Sequence, residues 1–170
     1  MTRTPWIQRT FHFGIPPGWM PNILERLLST ELRIKHLTQN LSDADAMISF
    51  QNKWTIKQHI GHLADLEELH IGRVNDFVLR KSKLRAADMS NTKTEKADHN
   101  TKELSLLIDN FQKGRSNFIF HLNQLDDVTQ QFASLHPRLK LEMRPVDLAF
   151  FTAEHDDHHL ASMRELLTFV

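Results

Sequence analysis

The chain's 170 residues are 40% hydrophobic and carry 21 Lys and Arg against 21 Asp and Glu, a formal net charge of zero. That length suits one domain with its own core, residues 1–170, and the lack of a basic excess to draw a phosphate backbone argues against a nucleic-acid-binding role. Cysteine is absent, which excludes disulfides, cysteine-liganded zinc and an internal thiol nucleophile and agrees with a reducing cytoplasm.

Residues 1–8 lack the apolar run of a signal peptide, and no stretch reaches the length of a membrane span. Gly numbers only 5 and Tyr is absent; no segment alternates with period two between hairpin turn signals, so an all-α fold is expected. Residues 1–20 are aromatic and punctuated by Pro and Gly (Trp6, Phe11, Phe13, Trp19), and they read as an irregular arm packed against the rest. Such a density of rings either supports a homodimer or caps the chain's own core.

Pro21 suits a first helical turn, and Ile23, Leu24, Leu27, Leu28, Leu32, Ile34 and Leu37 give an apolar stripe for a helix over 21–39. Residues 41–45 read as a short turn or an extra helical turn. Thr55 followed by Gln58 is a capping box. It opens a helix over 56–81 whose Ile56, Ile60, Leu63, Leu66, Leu69, Val74, Phe77 and Val78 face inward.

Residues 82–98 are polar and poorly periodic, a long connection of the kind that forms lids or crossovers. A third helix over 99–124 carries Leu104, Leu107, Ile108, Phe111, Phe118 and Leu122. His136-Pro137 and Arg144-Pro145 mark 126–144 as loop with short turns. A last helix starts near Pro145 and runs through Leu148, Phe151, His155, His159, Met163 and Leu166 to the terminus. Four long helices with a long crossover make a four-helix bundle, whose core is a standard place for a metal held by facing helices.

The last helix contains Glu154-His155-Asp156-Asp157-His158-His159. Positions four apart lie about 40° apart around a helix, so His155 and His159 share a face, and that face continues the apolar stripe. Two polar rings there need a partner, and an i, i+4 histidine pair gripping a divalent ion supplies one. His158 could replace His159 by i, i+3 spacing, though less in line with the stripe.

One helix seldom completes such a site. The upstream partner is His59 or His62, between which periodicity does not choose. Asp65, three residues after His62, and Glu154, next to His155, could orient an imidazole or take a proton from bound water. Taken singly, Asp65, Glu67, Glu68, Glu154 and Asp157 read as solvated helical surface, as do His12, His36, His99 and His121 among the 11 histidines.

The series Trp54-Thr55-Ile56-Lys57-Gln58-His59-Ile60-Gly61-His62-Leu63, then Arg73, His136-Pro137 and Glu154-His155-Asp156-Asp157-His158-His159-Leu160 resembles the DinB-like superfamily. Within it the pattern is most like the YfiT-like metal-dependent hydrolases, from about residue 21 to the C-terminus. The resemblance implies an up-and-down-type four-helix bundle with a long crossover. It also implies a divalent ion, zinc or nickel first and manganese or iron otherwise, on one histidine of the second helix and the His-x-x-x-His pair.

Carried over by position, the ligands are His62, His155 and His159; His62 is then preferred to His59, and His158 is left as a non-ligand. The family's glycine soon after His-Pro is missing, since Arg138-Leu139-Lys140-Leu141 follows, so the loop over the metal is expected to differ. Relatives that pair through helices favour a homodimer.

Two function classes stand side by side. Three neutral imidazoles leave coordination positions open, which suits a hydrolase or a low-molecular-weight-thiol transferase acting on a small molecule, with Glu154 or Asp65 as general base or supporting carboxylate. The alternative is a non-catalytic, metal-stabilised bundle serving as a stress-related binding or interaction module. A fourth protein ligand would favour that alternative. The expected setting is cytoplasmic, with no nucleic-acid or membrane partner.

Overall fold

The structure is a computed structural model that describes residues 3–51 and 53–170. Four long helices, α1 (Met20–Thr38), α2 (Ile56–Val78), α4 (Leu104–Asn123) and α6 (Pro145–Leu166), form a four-helix bundle. Two short helices, α3 (Thr92–Lys96) and α5 (Asp127–Gln131), lie in the connections. Helix α2 packs against α4 and α6, and α1 against the same two, so α1 and α2 stand diagonally opposed. Among the described residues no helix is long and apolar enough to cross a membrane.

Local chemistry explains the helix starts. Thr55 Oγ1 accepts from Gln58 N–H at 3.1 Å and Gln58 Oε1 accepts from Thr55 N–H at 2.9 Å, closing the expected capping box. At the head of α6, Asp147 Oδ2 accepts from Arg144 N–H at 3.0 Å. Its Oδ1 takes the N–H groups of Gly14 and Ile15, both at 2.9 Å, and so ties the N-terminal arm to the bundle. Trp6 and Phe11 then pack against Phe151 of α6, tilted and edge-on respectively, with centroids 5.0 Å away in each case. Trp19 stays 60% exposed.

Several expectations need correction. The connection 82–98 contains α3, and the third long helix starts at Leu104, because His99–Thr101 forms a separate 3-10 turn. The loop 126–144 holds α5 and a small hairpin, β1 (Ser134–Leu135) paired antiparallel with β2 (Glu142–Met143). Two-residue strands are too short to show period-two alternation. Leu28, Leu32 and Val78 are 50%, 66% and 53% exposed. The inward stripe of α1 is the narrower Ile23, Leu27, Thr30, Ile34, Leu37.

Thr30 marks a polar layer. The buried positions of α2 run Ile56, Ile60, Leu63, Glu67, His70, Val74, Phe77, and those of α4 include Ile108, Phe111, Arg115, Phe118, Leu122. Charged groups thus occupy core positions in mid-helix. Arg115 donates to Glu67 Oε1 from Nε at 3.0 Å and from Nη2 at 2.7 Å, and its Nη1 and Nη2 reach Asp156 of α6. Thr30 Oγ1 donates to Asp156 Oδ2 at 2.8 Å. All four long helices contribute one residue each. The layer divides the apolar core into one cluster around Phe77, Phe118 and Leu148 and another around Ile60, Phe111 and Met163. Glu67 is therefore buried, contrary to its reading as solvated surface. Burial pushes its carboxyl up to about 7 even though Arg115 opposes the shift.

Candidate metal centre

His62 on α2 and His155 and His159 on α6 come together at the junction of the two helices. One ring nitrogen from each lies within 4.8 Å of the others, and among the described residues no carboxylate joins the group. Nε2 of His155 and Nε2 of His159 stand 3.1 Å apart. Two imidazoles on one tetrahedral ion, each about 2.0–2.1 Å from it, would have nitrogens roughly 3.3 Å apart. Donor type, number and spacing therefore fit a divalent ion. His155 Nδ1 is buried with no hydrogen-bond partner.

The other ring nitrogens are held from behind. His62 Nδ1 lies 3.1 Å from Thr94 Oγ1, which itself donates to Asp65 Oδ2 at 2.9 Å; His99 Nε2 reaches the same oxygen at 2.8 Å. Asp65 thus acts on His62 through Thr94, and this chain His62–Thr94–Asp65–His99 leaves Nε2 of His62 free to face α6. The arrangement depends on Gly61, because a Cβ there would sit 2.3 Å from the His99 ring. His99, expected at the surface, is 4% exposed. Its burial was hidden because the 3-10 turn that carries it breaks the helical pattern. On α6, His159 Nδ1 pairs with His59 Nδ1 at 2.8 Å, one ring donating and the other accepting.

Glu154 is engaged elsewhere. Arg9 holds its Oε2 at 2.6 Å and Arg26 its Oε1 at 2.9 Å, so it clamps the arm and α1 to α6. His158 packs against Trp6, and Arg3 Nη1 lies 3.0 Å from its Nδ1. Asp157 pairs with Arg26 and Arg33, and Glu68 with Lys93 at the surface.

Burial sets the protonation of the group. It pushes His59 down to about 3 and His62 to about 4, in the latter case against the pull of Asp65, and drives His155 and His159 well below the ordinary range with help from neighbouring imidazoles. All four are neutral at pH 7, the form that binds metals. Their folded values lie below the unfolded one, so the unfolded chain binds more protons and stability rises with pH between about 4 and 6.5. Acidifying the metal-free protein from pH 7 to 5 should lower its unfolding free energy. His59 and His62 contribute about 1 kcal/mol per unit each over this interval, approaching the limiting value of about 1.4 only below pH 6. Urea unfolding at pH 7, 6 and 5 measures it; a flat profile would mean that these rings are not buried neutral.

The three histidines open into a cavity of about 440 Å³ between α2, α6 and the 86–91 and 136–138 segments. Its walls are largely apolar, with Trp6, Leu66, Leu69 and Phe151, and it also meets Arg73 and His136. A second opening of about 830 Å³, bounded by Trp54, His59, Lys53 and Phe169, also reaches His159. Arg73 and His136 had entered only with the family resemblance. The cavity gives them a place in the site.

The sequence profile of the DinB superfamily matches residues 26–163, and the chain belongs to that superfamily. Among solved structures it is similar to YfiT from Bacillus subtilis, described as "a probable metal-dependent hydrolase with an unusual four-helix bundle topology". The two share 19% identity with a TM-score of 0.79, covering 93% of this chain and 91% of YfiT. No curated protein sequence matches the chain.

Proposed function

We propose that this member of the DinB superfamily is a metal-dependent enzyme acting on a small molecule, with one divalent ion held by His62, His155 and His159. The observation that carries the reading is the union of three converging neutral imidazoles with a cavity they help to line. A metal that only cross-linked helices would be served better by a fourth protein ligand and no cavity. When bound, a zinc-type ion supplies Lewis acidity and lowers the pKa of a coordinating water to about 7.

The chain's own residues do the rest. Asp65, through Thr94, fixes the tautomer of His62 with its proton on Nδ1 and makes Nε2 more basic. His59 does the same for His159 by accepting at Nδ1. Trp6 and Phe151 keep one side of the cavity dry, which strengthens electrostatic interactions there. Hydrolysis of an ester or amide is the simplest chemistry for this arrangement. The second opening at His159 favours a second form, transfer of a low-molecular-weight thiol, in which it receives the cosubstrate and the first cavity the electrophile.

The test is a panel of esters, amides and electrophile–thiol pairs with zinc- or nickel-loaded protein. Turnover should rise with pH through about 7, vanish with a chelator and return with metal. A loaded protein with four protein ligands on its ion and no metal-dependent turnover overturns the enzyme reading in favour of the metal-stabilised interaction module.

A further inference from the structure

Arg73 and Arg138, neither with a carboxylate of its own within 4.0 Å among the described residues, line the cavity together with His136. His62, Leu66, Leu69 and Arg73 share one face of α2; eleven residues separate the first from the last, about 16 Å of helix and within about 20° around its axis. Arg73 is 2% exposed. Its Nε donates to Arg85 O at 3.2 Å, and among the described residues its two Nη nitrogens have no hydrogen-bond partner and no carboxylate within 4.0 Å. Asp76, whose charge acts on Arg73, is taken by Lys81 and Arg85.

Arg138 lines the same cavity, with Nη2 buried and unpartnered. His136 is 2% exposed. Its Nδ1 accepts the Leu139 N–H at 3.2 Å, which puts its own proton on Nε2, and Nε2 is buried without an acceptor. Three residues thus present donors alone. Among the described residues the cavity's one carboxylate, Asp88, is held by the N–H groups of Ser90 and Thr92 at 2.9 and 2.8 Å and by the Ser90 hydroxyl.

Buried donors left without an acceptor are costly, as at Arg138 Nη2 and His136 Nε2, so a site that keeps both beside the Arg73 guanidinium is suited to an anion that arrives. We propose that Arg73, Arg138 and His136 bind the carboxylate of a small substrate whose apolar body lies along Leu66, Leu69 and Phe151 and whose reacting group reaches the three histidines. The free Nη pair of Arg73 is a two-pronged fork, the geometry that matches two carboxylate oxygens. Arg138 and His136 supply the flanking donors. The inference rests on the metal-enzyme reading of the cavity and names its substrate class.

Trp6 and Trp54 line the cavity, so intrinsic fluorescence reports its occupancy. The zinc-loaded 170-residue chain should bind hexanoate about tenfold or more tighter than the neutral isostere hexanamide. Arg73→Gln should remove most of that preference with zinc content unchanged by elemental analysis. So should Arg138→Gln, at a half-buried position where folding is less at risk, with circular dichroism as the check. His155→Ala should lose its zinc yet keep the preference.

A preference that survives both arginine variants, or that disappears only in His155→Ala, places the carboxylate on the metal and overturns the proposal. Equal binding of hexanoate and hexanamide does so too. Tighter binding of hexyl phosphate than hexanoate, with the same arginine dependence, overturns the carboxylate assignment. Wild-type protein that takes up no zinc but prefers hexanoate through Arg73 upholds this inference and removes the metal reading instead.

Discussion

Replacing His155 with alanine should leave the purified protein without stoichiometric metal. The wild type is expected to hold about one zinc or nickel ion per chain by elemental analysis. Loss of a direct ligand should weaken binding by more than the roughly 10- to 100-fold that removal of an outer partner costs. His62→Ala and His159→Ala should behave alike, because each contributes one nitrogen to a group with no spare donor among the described residues. His99→Ala and His59→Phe are the graded controls. His59 bonds a ligand directly, so His59→Phe should keep metal at an affinity lower by about that 10- to 100-fold, whereas His99 stands behind Asp65 and Thr94 and its loss should cost less. Full occupancy in a His155→Ala, His159→Ala double variant would falsify the assignment.

The long helices were legible because their apolar spacing is dense: the six core positions expected for the third helix are all buried. Pro21, Thr55 and Pro145 marked the helix starts for reasons internal to a few residues. The His155–His159 pair was readable from one helix's periodicity. Its partner on α2 was not, since His59 and His62 are both buried and lie on neighbouring faces. Tertiary structure separates them: Nδ1 of His62 turns to Thr94, and His59 sits behind His159. Thr94 and His99 come from a polar connection with no period of its own, so nothing local tied them to His62. Glu67, His70, Arg115 and Asp156 carried a usable signal that hydrophobicity alone discards, because each fills a core position between apolar neighbours one turn away. A polar residue in such a place is either an error of register or part of a buried network.

That network makes the second large expectation. Arg115→Met should destabilise the protein by about 3–5 kcal/mol, a fall in Tm on the order of 10 °C for a chain of this size. Arg115 is 3% exposed and is the shared donor for Glu67 and Asp156, which are 2% and 0% exposed. Burial alone would lower its pKa, but Asp156 and Glu67 more than offset that and hold the guanidinium above its ordinary value. Without it two carboxyls are left facing each other in the core, and each must ionise at great cost or take up a proton. The comparison that isolates this cause is a triple variant, Arg115→Met with Glu67→Met and Asp156→Leu, which replaces the whole layer with apolar groups of similar size. It should recover most of the loss, because a buried ion network contributes less than its breakage costs. Thr30 would then lose its acceptor on Asp156, so recovery should stop short by about 1 kcal/mol. Urea unfolding of wild type, single and triple variants measures all three terms. A single variant within about 1 kcal/mol of wild type would mean that water already reaches the layer and that Glu67 and Asp156 do not depend on Arg115.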